Sequence, residues 1–256
     1  MTNVEIYDGI KGVILQHLLK MVFYMLSNDE KMRYERQLMI FGEDGQEKLK
    51  NAKVAIVGLG GLGSVVAYYL AAAGIGTLKL IDKDKVELSN LNRQILHWTR
   101  DIGLSKTKSA KYKLEAFNPE VNFEVNEVNV TKENVDEVIG DVDVIVDCLD
   151  NFSARYVLDE YAHEKNIPLV HGAIEGFYGQ ATTIIPGKTR SLREIFPNMD
   201  KRPKTKFPVV GVAPGIIGII EASETLKLLL DVGKPLTNKL LIVDLLNNTF
   251  EIIKLK

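Results

Sequence analysis

The chain has 256 residues, with 32 basic and 34 acidic side chains, a net charge of −2 and 46% hydrophobic residues. This length fits one large α/β domain and requires no second independent core. The balanced charge gives no general basic field, so we do not expect nucleic acid as a partner. The single cysteine, Cys148, excludes an intrachain disulfide and a zinc site built from several cysteines. It also fits a reducing compartment, and we expect a cytoplasmic protein.

The N-terminal stretch from Ile10 to Leu26 is apolar but cannot span a membrane. Four polar side chains interrupt it, namely Lys11, Gln16, His17 and Lys20. It has neither a small-residue cleavage site nor the composition of a transit peptide. We therefore predict that residues 1–26 form an amphipathic helical extension that packs on the body or on a second subunit, and that residues 27–256 form a single domain.

The next elements lead into a glycine-rich turn. Ser27 or Asn28 can cap a first helix, and a second helix is predicted over Gly45 to Leu49. Residues 54–57 are wholly apolar, as expected of a strand buried on both faces. A helix over 64–73 and a strand over 77–81 follow. The strand ends at Asp82.

Alternating helices and strands continue to about residue 172. Strands are predicted over 121–130, 142–146 and 167–170, and helices over 107–117, 132–139 and 153–165. This order indicates a Rossmann-like α/β fold with a doubly wound, mainly parallel sheet. We assign residues 50–172, approximately, to its nucleotide-binding part.

The pattern changes after Gly172. Residues 176–185 read as an extended strand, residues 211–230 as a long apolar helix, and residues 239–245 and 249–255 as a terminal hairpin. Three prolines break the segment from Lys188 to Pro208, which is rich in Lys and Arg and lacks an apolar period. We predict that this segment is a mobile loop over the site. Together these elements predict a mixed or antiparallel C-terminal extension of the sheet.

The glycine turn has the spacing of a nucleotide-binding site. Gly58, Gly60, Gly61 and Gly63 lie between the buried strand and the following helix. Such a turn brings phosphate close to the backbone amides at the helix N-terminus. Asp82 follows the next strand, about twenty residues on, where an acid that binds ribose is expected. The alternative is a turn that only packs the helix against the sheet.

Further polar side chains follow the predicted strands. One segment contains Ser89, Asn90, Leu91, Asn92, Arg93 and Gln94. Lys106 begins a helix, where its charge opposes the helix dipole, which favours a functional role. Asp150 and Asn151 follow a buried strand, although this pair could serve only as a helix cap.

These motifs, together with Arg33-Tyr34-x-Arg36-Gln37, resemble the ThiF/HesA/MoeB family, relatives of ubiquitin-activating enzymes. The resemblance covers the chain from about Met32 to its C-terminus. It implies an adenylyltransferase that uses ATP and Mg²⁺. The substrate would be the C-terminal glycine of a small ubiquitin-like sulfur-carrier protein ending in Gly-Gly, and pyrophosphate would be released. It also implies that residues 173–256 bind the carrier and that the active form is a homodimer.

The resemblance assigns roles that suit the residue chemistry. Arg36, Arg93 and Lys106 would neutralise the triphosphate, with Arg36 reaching the neighbouring subunit's nucleotide. Asp150 would hold Mg²⁺, which takes one or two carboxylates plus phosphate oxygens. Asp82 would bind the ribose hydroxyls and the Gly60-Gly61 backbone the phosphates. The segment Ser89 to Gln94, with Asn151, would complete the cofactor-binding set, in which Asn90 and Gln94 orient phosphate oxygens.

The chain also departs from the family pattern. Relatives often carry two C-x-x-C pairs that bind structural zinc, whereas here the first position reads Ser191-Leu192-Arg193-Glu194 and the second pair is missing. We therefore expect no zinc. Many relatives also have a cysteine shortly before the equivalent of Gly211, and this chain has none there. We expect Cys148 to be a packing residue and the reaction to stop at the acyl-adenylate.

Two alternatives remain open from the sequence. One is the related enzyme that dehydrates threonylcarbamoyladenosine in tRNA, which would require a basic surface; Lys201, Arg202, Lys204 and Lys206 offer a modest patch. The other is a non-catalytic nucleotide-binding scaffold or an NAD(P) dehydrogenase. Hydride transfer does not need Arg93, Lys106 or Asp150, which disfavours the dehydrogenase. The sequence does not choose among molybdopterin, thiamine and tRNA-thiolation pathways, all of which use such an enzyme.

Overall fold

The computed structural model describes residues 26–201 and 207–255. The predicted extension therefore lies outside the described residues except for Leu26, and so do three of the four residues of the basic patch. The strands are β1 Lys53–Val57, β2 Thr77–Ile81, β3 Asn122–Asn126, β4 Val144–Asp147, β5 Leu169–Glu175, β6 Tyr178–Ile184, β7 Lys239–Asp244 and β8 Thr249–Lys254.

The helices alternate with these strands in the first two thirds of the chain. They are α1 Asn28–Arg33, α2 Glu35–Asn51, α3 Gly61–Ala73, α4 Lys106–Phe117, α5 Val135–Ile139, α6 Phe152–Lys165, α7 Leu192–Ile195 and α8 Val212–Leu230. None of the described helices is both long and apolar enough to cross a bilayer.

All eight described strands form one sheet in the order β3-β2-β1-β4-β5-β6-β7-β8. The first five strands of that order are parallel, and β5 to β8 pair antiparallel. This arrangement confirms the predicted doubly wound sheet with an antiparallel C-terminal extension. The strand order reverses between β1 and β4, and ligands of open α/β sheets bind in the crevice at such a point.

The central strand β1 separates two hydrophobic cores. Successive side chains of a strand point to opposite faces. Val54 and Ile56 contact the core formed with α3 and α8, whereas Ala55 and Val57 contact the core formed with α5 and α6. Burial of both faces explains why residues 54–57 carry no polar side chain. The carboxyl end of β1 is thereby held rigidly where the glycine turn begins.

The helices before β1 differ from the sequence prediction. The predicted helix at Gly45 to Leu49 is the second half of α2, which bends at Gly42, where φ is +70° and ψ is −177°. A capping box between Ser27 and Glu30 starts α1, as its sequence indicates. Element ends elsewhere shift by a few residues; β3 and α5 are both shorter than predicted.

The segment after β6 corrects another prediction. We expected residues 188–208 to lack secondary structure, but the structure forms α7 and a 3₁₀ turn at Met199–Lys201. Ser191 and Glu194 make a capping box at the start of α7. The buried Leu192 donates its backbone N–H to Asp159 Oδ2 of α6 at 2.8 Å. A buried leucine and a helix cap therefore stabilise this segment, although its sequence has no apolar period.

Candidate active site

The glycine turn follows β1 and opens toward the sheet crevice. Gly58 has φ +97°, and a Cβ there would lie 2.6 Å from the Cys148 carbonyl oxygen. A Cβ at Gly63 would lie 1.9 Å from the Gly58 carbonyl oxygen. These two positions therefore require glycine because the turn packs against the end of β4 and against itself. Gly61 begins α3, and Gly60 immediately precedes it.

Backbone N–H groups remain available at this turn. The first bond along the helix is from Ser64 N to the Gly60 carbonyl at 3.0 Å. Within the described residues, the N–H groups of Gly60, Gly61, Leu62 and Gly63 have no acceptor in the chain. Free N–H groups at a helix N-terminus favour an anion. The turn therefore has the local chemistry of a phosphate site.

Asp82 is fixed against the turn. Its Oδ2 accepts the Leu59 N–H at 2.7 Å, and its Oδ1 accepts the Asp84 N–H at 2.7 Å. Burial raises the pKa of the Asp82 carboxyl, and the Lys106 ammonium 3.9 Å away opposes that rise. Each carboxylate oxygen has a second lone pair, so ribose binding stays compatible with these bonds.

Lys106 is buried at the first position of α4. Its Nζ lies 3.2 Å from Asp84 Oδ2 and 3.9 Å from Asp82 Oδ2. Ser105 caps the same helix by accepting the Lys108 N–H. The two carboxylates offset the burial of the lysine charge, and because Asp82 also binds the Leu59 N–H, they hold a cation near the glycine turn.

The segment from Ser89 to Gln94 closes one side of the turn. The Arg93 guanidinium donates to the Ser89 carbonyl and to Asn92 Oδ1, both at 2.9 Å. Asn90 is buried, and its Oδ1 accepts the Glu87 N–H at 3.0 Å. Leu91 is half-buried. Asn90 and the Arg93 guanidinium are thus both engaged by their own loop, and the Arg93 carbonyl oxygen lies 3.5 Å from the position of a Cβ at Gly61.

Gln94 points at the phosphate site. Its Nε2 lies 3.6 Å from the position of a Cβ at Gly60, so the amide reaches the turn. The side chain is buried, yet its Oε1 has no hydrogen-bond partner in the described structure. A buried polar atom without a partner is costly. The atom near the turn is Nε2, a donor, and a donor beside the free N–H groups of the turn fits a site for an anion.

Asp150 and Asn151 have separate roles in the structure. Asn151 Oδ1 accepts the Ala154 N–H at 3.0 Å and caps α6, so the helix-cap interpretation holds for this residue. Asp150 is exposed at the carboxyl end of β4, with Asn151 Nδ2 3.4 Å from its Oδ1. This carboxylate is free to bind a hard cation together with phosphate oxygens. No cluster of three His, Cys, Asp or Glu side chains suited to a metal occurs in the described ranges.

Arg36 lies away from its own glycine turn. The adjacent Gln37 donates to the carbonyl of Ala73, the last residue of α3, while Gly61 at the first residue of α3 faces the site. A helix of this length spans about 20 Å. Arg36 is exposed. The chain therefore does not bring Arg36 together with its own Arg93 and Lys106.

Several buried polar residues next to the site escaped the sequence analysis. His97 Nε2 lies 2.9 Å from the Leu59 carbonyl oxygen. Asp147 Oδ2 lies 2.8 Å from His171 Nδ1, and Arg155 donates to the Leu149 carbonyl before Asp150. Asp147 is the polar last residue of the otherwise apolar strand β4, which is visible in the sequence, but its partner His171 lies 24 residues away.

Cys148 is enclosed beneath the turn. Its Sγ lies 3.9 Å from Glu221 Oε1 of α8. Burial raises the pKa of the Cys148 thiol well above its usual value, and the carboxyl of Glu221 raises it further. The pKa of Glu221 is itself well above normal because the side chain is fully buried. A buried neutral thiol of this kind is a poor nucleophile.

Comparison with known proteins places this geometry in a family. A model of the ThiF family matches residues 34–256. The SAMP-activating enzyme E1 of Haloferax volcanii is 43% identical, with 86% of this chain and 84% of the relative covered. The sulfur carrier protein adenylyltransferase of Thermus thermophilus is 40% identical, with 88% and 87% covered. The molybdopterin-synthase adenylyltransferase of Haemophilus influenzae is 39% identical, with 90% and 97% covered.

Solved structures agree. The crystal structure of E. coli MccB with ATP has a TM-score of 0.79 and 26% identity, with 91% of this chain and 72% of that chain covered. The structure of PaaA has the same TM-score and 30% identity, with 90% and 75% covered. These findings confirm the family inferred from the motifs. The chain belongs to the ThiF family.

Proposed function

We propose that this protein is an ATP-dependent adenylyltransferase that activates the C-terminal carboxylate of a small ubiquitin-like sulfur-carrier protein. One observation carries the proposal: the free N–H groups of the glycine turn lie near the buried cation of Lys106 and near Gln94 Nε2, a second donor that reaches the turn. The curated relatives include enzymes named for adenylating a sulfur carrier and for molybdopterin synthase.

The reaction joins two anions. A carboxylate oxygen of the carrier attacks the α-phosphorus of ATP, and a phosphorus–oxygen bond forms. The bond from the α-phosphorus to the bridging oxygen breaks, so that pyrophosphate leaves with the electron pair. Lys106 and Arg93 supply positive charge, and the N–H groups of the turn are donors in a fixed orientation. Asp84 holds Lys106 at 3.2 Å, and the incoming triphosphate competes with this carboxylate for the ammonium.

Magnesium is part of the proposal through Asp150. This carboxylate lies at the carboxyl end of β4, the strand next to β1. One carboxylate with phosphate oxygens and water is a usual environment for this ion. When bound, Mg²⁺ would neutralise triphosphate charge. Arg155 and Asp147 hold the peptide of Leu149 through its carbonyl and N–H, and they therefore position the chain that carries Asp150.

The carrier is proposed to bind the C-terminal part, residues 173–256. The strand β8 ends the described sheet, and it exposes Phe250, Ile252 and Ile253. Exposed apolar side chains grouped on one element are a common mark of a protein-binding surface. We propose a carrier that ends in Gly-Gly, the terminus implied by the resemblance to the ThiF/HesA/MoeB family.

A homodimer would complete the site. Exposed apolar side chains occur near Arg36, at Met32, Met39 and Ile40, and again beside the nucleotide crevice, at Leu88, Ile95, Trp98, Ile102 and Leu104. In a twofold dimer, one such surface can cover the other on the partner. That pairing would bring Arg36 to the neighbouring nucleotide. We propose a cytoplasmic location because the enzyme would consume ATP and its cysteine is free.

The test is ATP–pyrophosphate exchange with a panel of carriers ending in Gly-Gly, run in parallel with threonylcarbamoyl-tRNA. We expect exchange with at least one carrier and none with the tRNA. The opposite result would favour the tRNA dehydratase. Calorimetric titration with ATP, with and without Mg²⁺, and with NAD separates nucleotide classes. Tight binding of NAD without binding of ATP would contradict the proposal.

A further inference from the structure

His97 is a buried histidine bonded to the glycine turn. It is 3% exposed, and its Nε2 lies 2.9 Å from the Leu59 carbonyl oxygen. On the other side of the ring, Nδ1 lies 2.9 Å from Ser109 Oγ of α4. The contacts join two elements that are distant in sequence. They reach the second residue of the turn from outside the nucleotide crevice.

The neighbours of His97 fix its tautomer. A carbonyl oxygen only accepts, so Nε2 carries the hydrogen, and in the neutral ring Nδ1 is then the acceptor. Lys113 Nζ donates to Ser109 Oγ at 2.8 Å and also pairs with Asp101. The Ser109 hydroxyl has two acceptors in reach, His97 Nδ1 at 2.9 Å and Asp101 Oδ2 at 3.1 Å. Because Asp101 Oδ2 already accepts from Lys113 and from the Trp98 N–H, we assign the hydroxyl hydrogen to Nδ1. Burial lowers the pKa of His97 to about 4, which keeps the ring neutral near pH 7.

The bond to Leu59 also orients its neighbour. In a trans peptide the carbonyl and the following N–H point in opposite directions. Because His97 holds the Leu59 carbonyl, the Gly60 N–H points away from His97. The preceding peptide is held separately, by the bond from the Leu59 N–H to Asp82 Oδ2. Both peptides at the start of the turn are thus fixed by side chains from outside it.

We propose that His97 is a positioning residue that turns the Gly60 N–H toward the phosphates of the nucleotide, an inference that rests on the proposed function. Ser109 and Lys113 maintain the tautomer required. In this proposal the Gly60 N–H contacts phosphate and does not contact the nucleoside. Loss of His97 should therefore weaken binding of ATP and leave binding of adenosine unchanged.

The experiment compares three substitutions at one position. His97→Gln keeps an N–H donor at about the reach of Nε2, His97→Asn keeps a shorter one, and His97→Leu removes it. For His97→Leu and His97→Asn we expect calorimetry to show ATP affinity about tenfold lower, the value of one hydrogen bond to a charged group. Adenosine affinity should stay within a factor of two. His97→Gln should recover most of the ATP affinity.

The KM for the carrier should not change in any of the three variants, because His97 is buried and has no part in binding the carrier. Equal losses of ATP and adenosine affinity would show a merely structural role and overturn the inference, as would an unchanged ATP affinity in His97→Leu. If His97→Leu does not fold, Ser109→Ala replaces it, since it removes the donor to Nδ1. A loss of about threefold for ATP alone supports the inference, and no loss contradicts it.

A different result would contradict the proposed function without contradicting the inference on His97. The proposed function fails if the wild-type enzyme binds ATP but exchanges pyrophosphate with no carrier. The binding measurements on the His97 variants then still decide the inference.

A second readout is the ¹⁵N spectrum of the histidine rings. We expect His97 with a protonated Nε2 and an unprotonated Nδ1 in the free enzyme. The opposite tautomer would leave the Leu59 carbonyl without this donor and would contradict the assignment.

Discussion

At the residue scale, Lys106 shows how the chain tolerates a buried charge before its substrate binds. The side chain is 7% exposed and lies near Asp82 and Asp84, which offset its burial. Asp84 is half-exposed and so is available to release the ammonium. The same contacts that stabilise the free enzyme therefore keep a cation beside the glycine turn.

We predict that Lys106→Ala and Arg93→Ala each abolish most pyrophosphate exchange while the protein stays folded. Each loses positive charge that acts mainly as charge develops in the transition state, at a cost on the order of 3 kcal/mol or about a hundredfold in rate. Lys108→Ala is the matched control, because Lys108 lies on the same helix with its side chain 70% exposed. Exchange within twofold of wild type for both variants would remove these residues from the mechanism.

Cys148→Ser should keep most of the adenylation activity. The thiol is buried against Glu221, its pKa is raised, and formation of an acyl-adenylate needs no thiol. Exchange rates and intact-protein mass spectrometry with carrier and ATP provide the test. A covalent adduct between carrier and enzyme that disappears in Cys148→Ser would show that this cysteine is a nucleophile.

The sequence predicted the residues whose chemistry is local. The glycine turn, Asp82 and Lys106 follow strands or begin helices, so position along the chain places them at the crevice. His97 could not be found in this way because its partners Leu59 and Ser109 lie 38 and 12 residues away. Asn151, predicted as a cofactor ligand, also caps α6 through its Oδ1. A sequence pattern does not reveal whether a polar group is already satisfied.

At the element scale, Asp159 ties α6 to the segment after β6. Its Oδ2 accepts the Leu192 N–H, and His163 Nδ1 lies 3.4 Å from its Oδ1. Burial raises the pKa of the Asp159 carboxyl to about 6, against an ordinary value of 3.8. The sequence predicted a mobile loop here because the segment has no apolar period. It could not reveal the buried hydrogen bond from the Leu192 N–H to Asp159.

The raised pKa of Asp159 predicts a pH dependence of stability. Between pH 4 and 6 the folded state binds a proton more tightly than the unfolded state, so this carboxyl lowers the free energy of unfolding as pH rises. The full shift corresponds to roughly 3 kcal/mol. Relative to Asp159→Asn, the wild type should lose stability from pH 4 to pH 6 and change little above pH 7.

Urea denaturation of both proteins at several pH values measures this difference. Asp141→Asn is the control for loss of one carboxylate, because the Asp141 side chain is 99% exposed. A difference between wild type and Asp159→Asn that stays constant across this pH range would refute the prediction.

At the scale of the whole molecule, the sheet determines which residues can share a site. Strands β1 and β4 lie side by side at the point where the strand order reverses, and this brings the glycine turn and Asp150 to one crevice. The alternation of helices and strands in the sequence predicted the doubly wound sheet, but it did not predict which strands lie side by side. By contrast, Arg36 is separated from the crevice by the length of α3. A role for Arg36 in catalysis therefore requires a second subunit.

We predict that the active form is a homodimer in which each site combines Lys106 of one subunit with the arginine at position 36 of the other. Mixing Arg36→Ala chains with Lys106→Ala chains should then restore activity. If half the chains pair as heterodimers and one site per pair works, recovery should reach about a quarter of wild type. Mixing Arg93→Ala with Lys106→Ala is the matched control and should recover nothing, because both residues belong to the same subunit's site. Light scattering that shows a monomer at micromolar concentration, or no recovery between chains shown to exchange, would rule out the shared site.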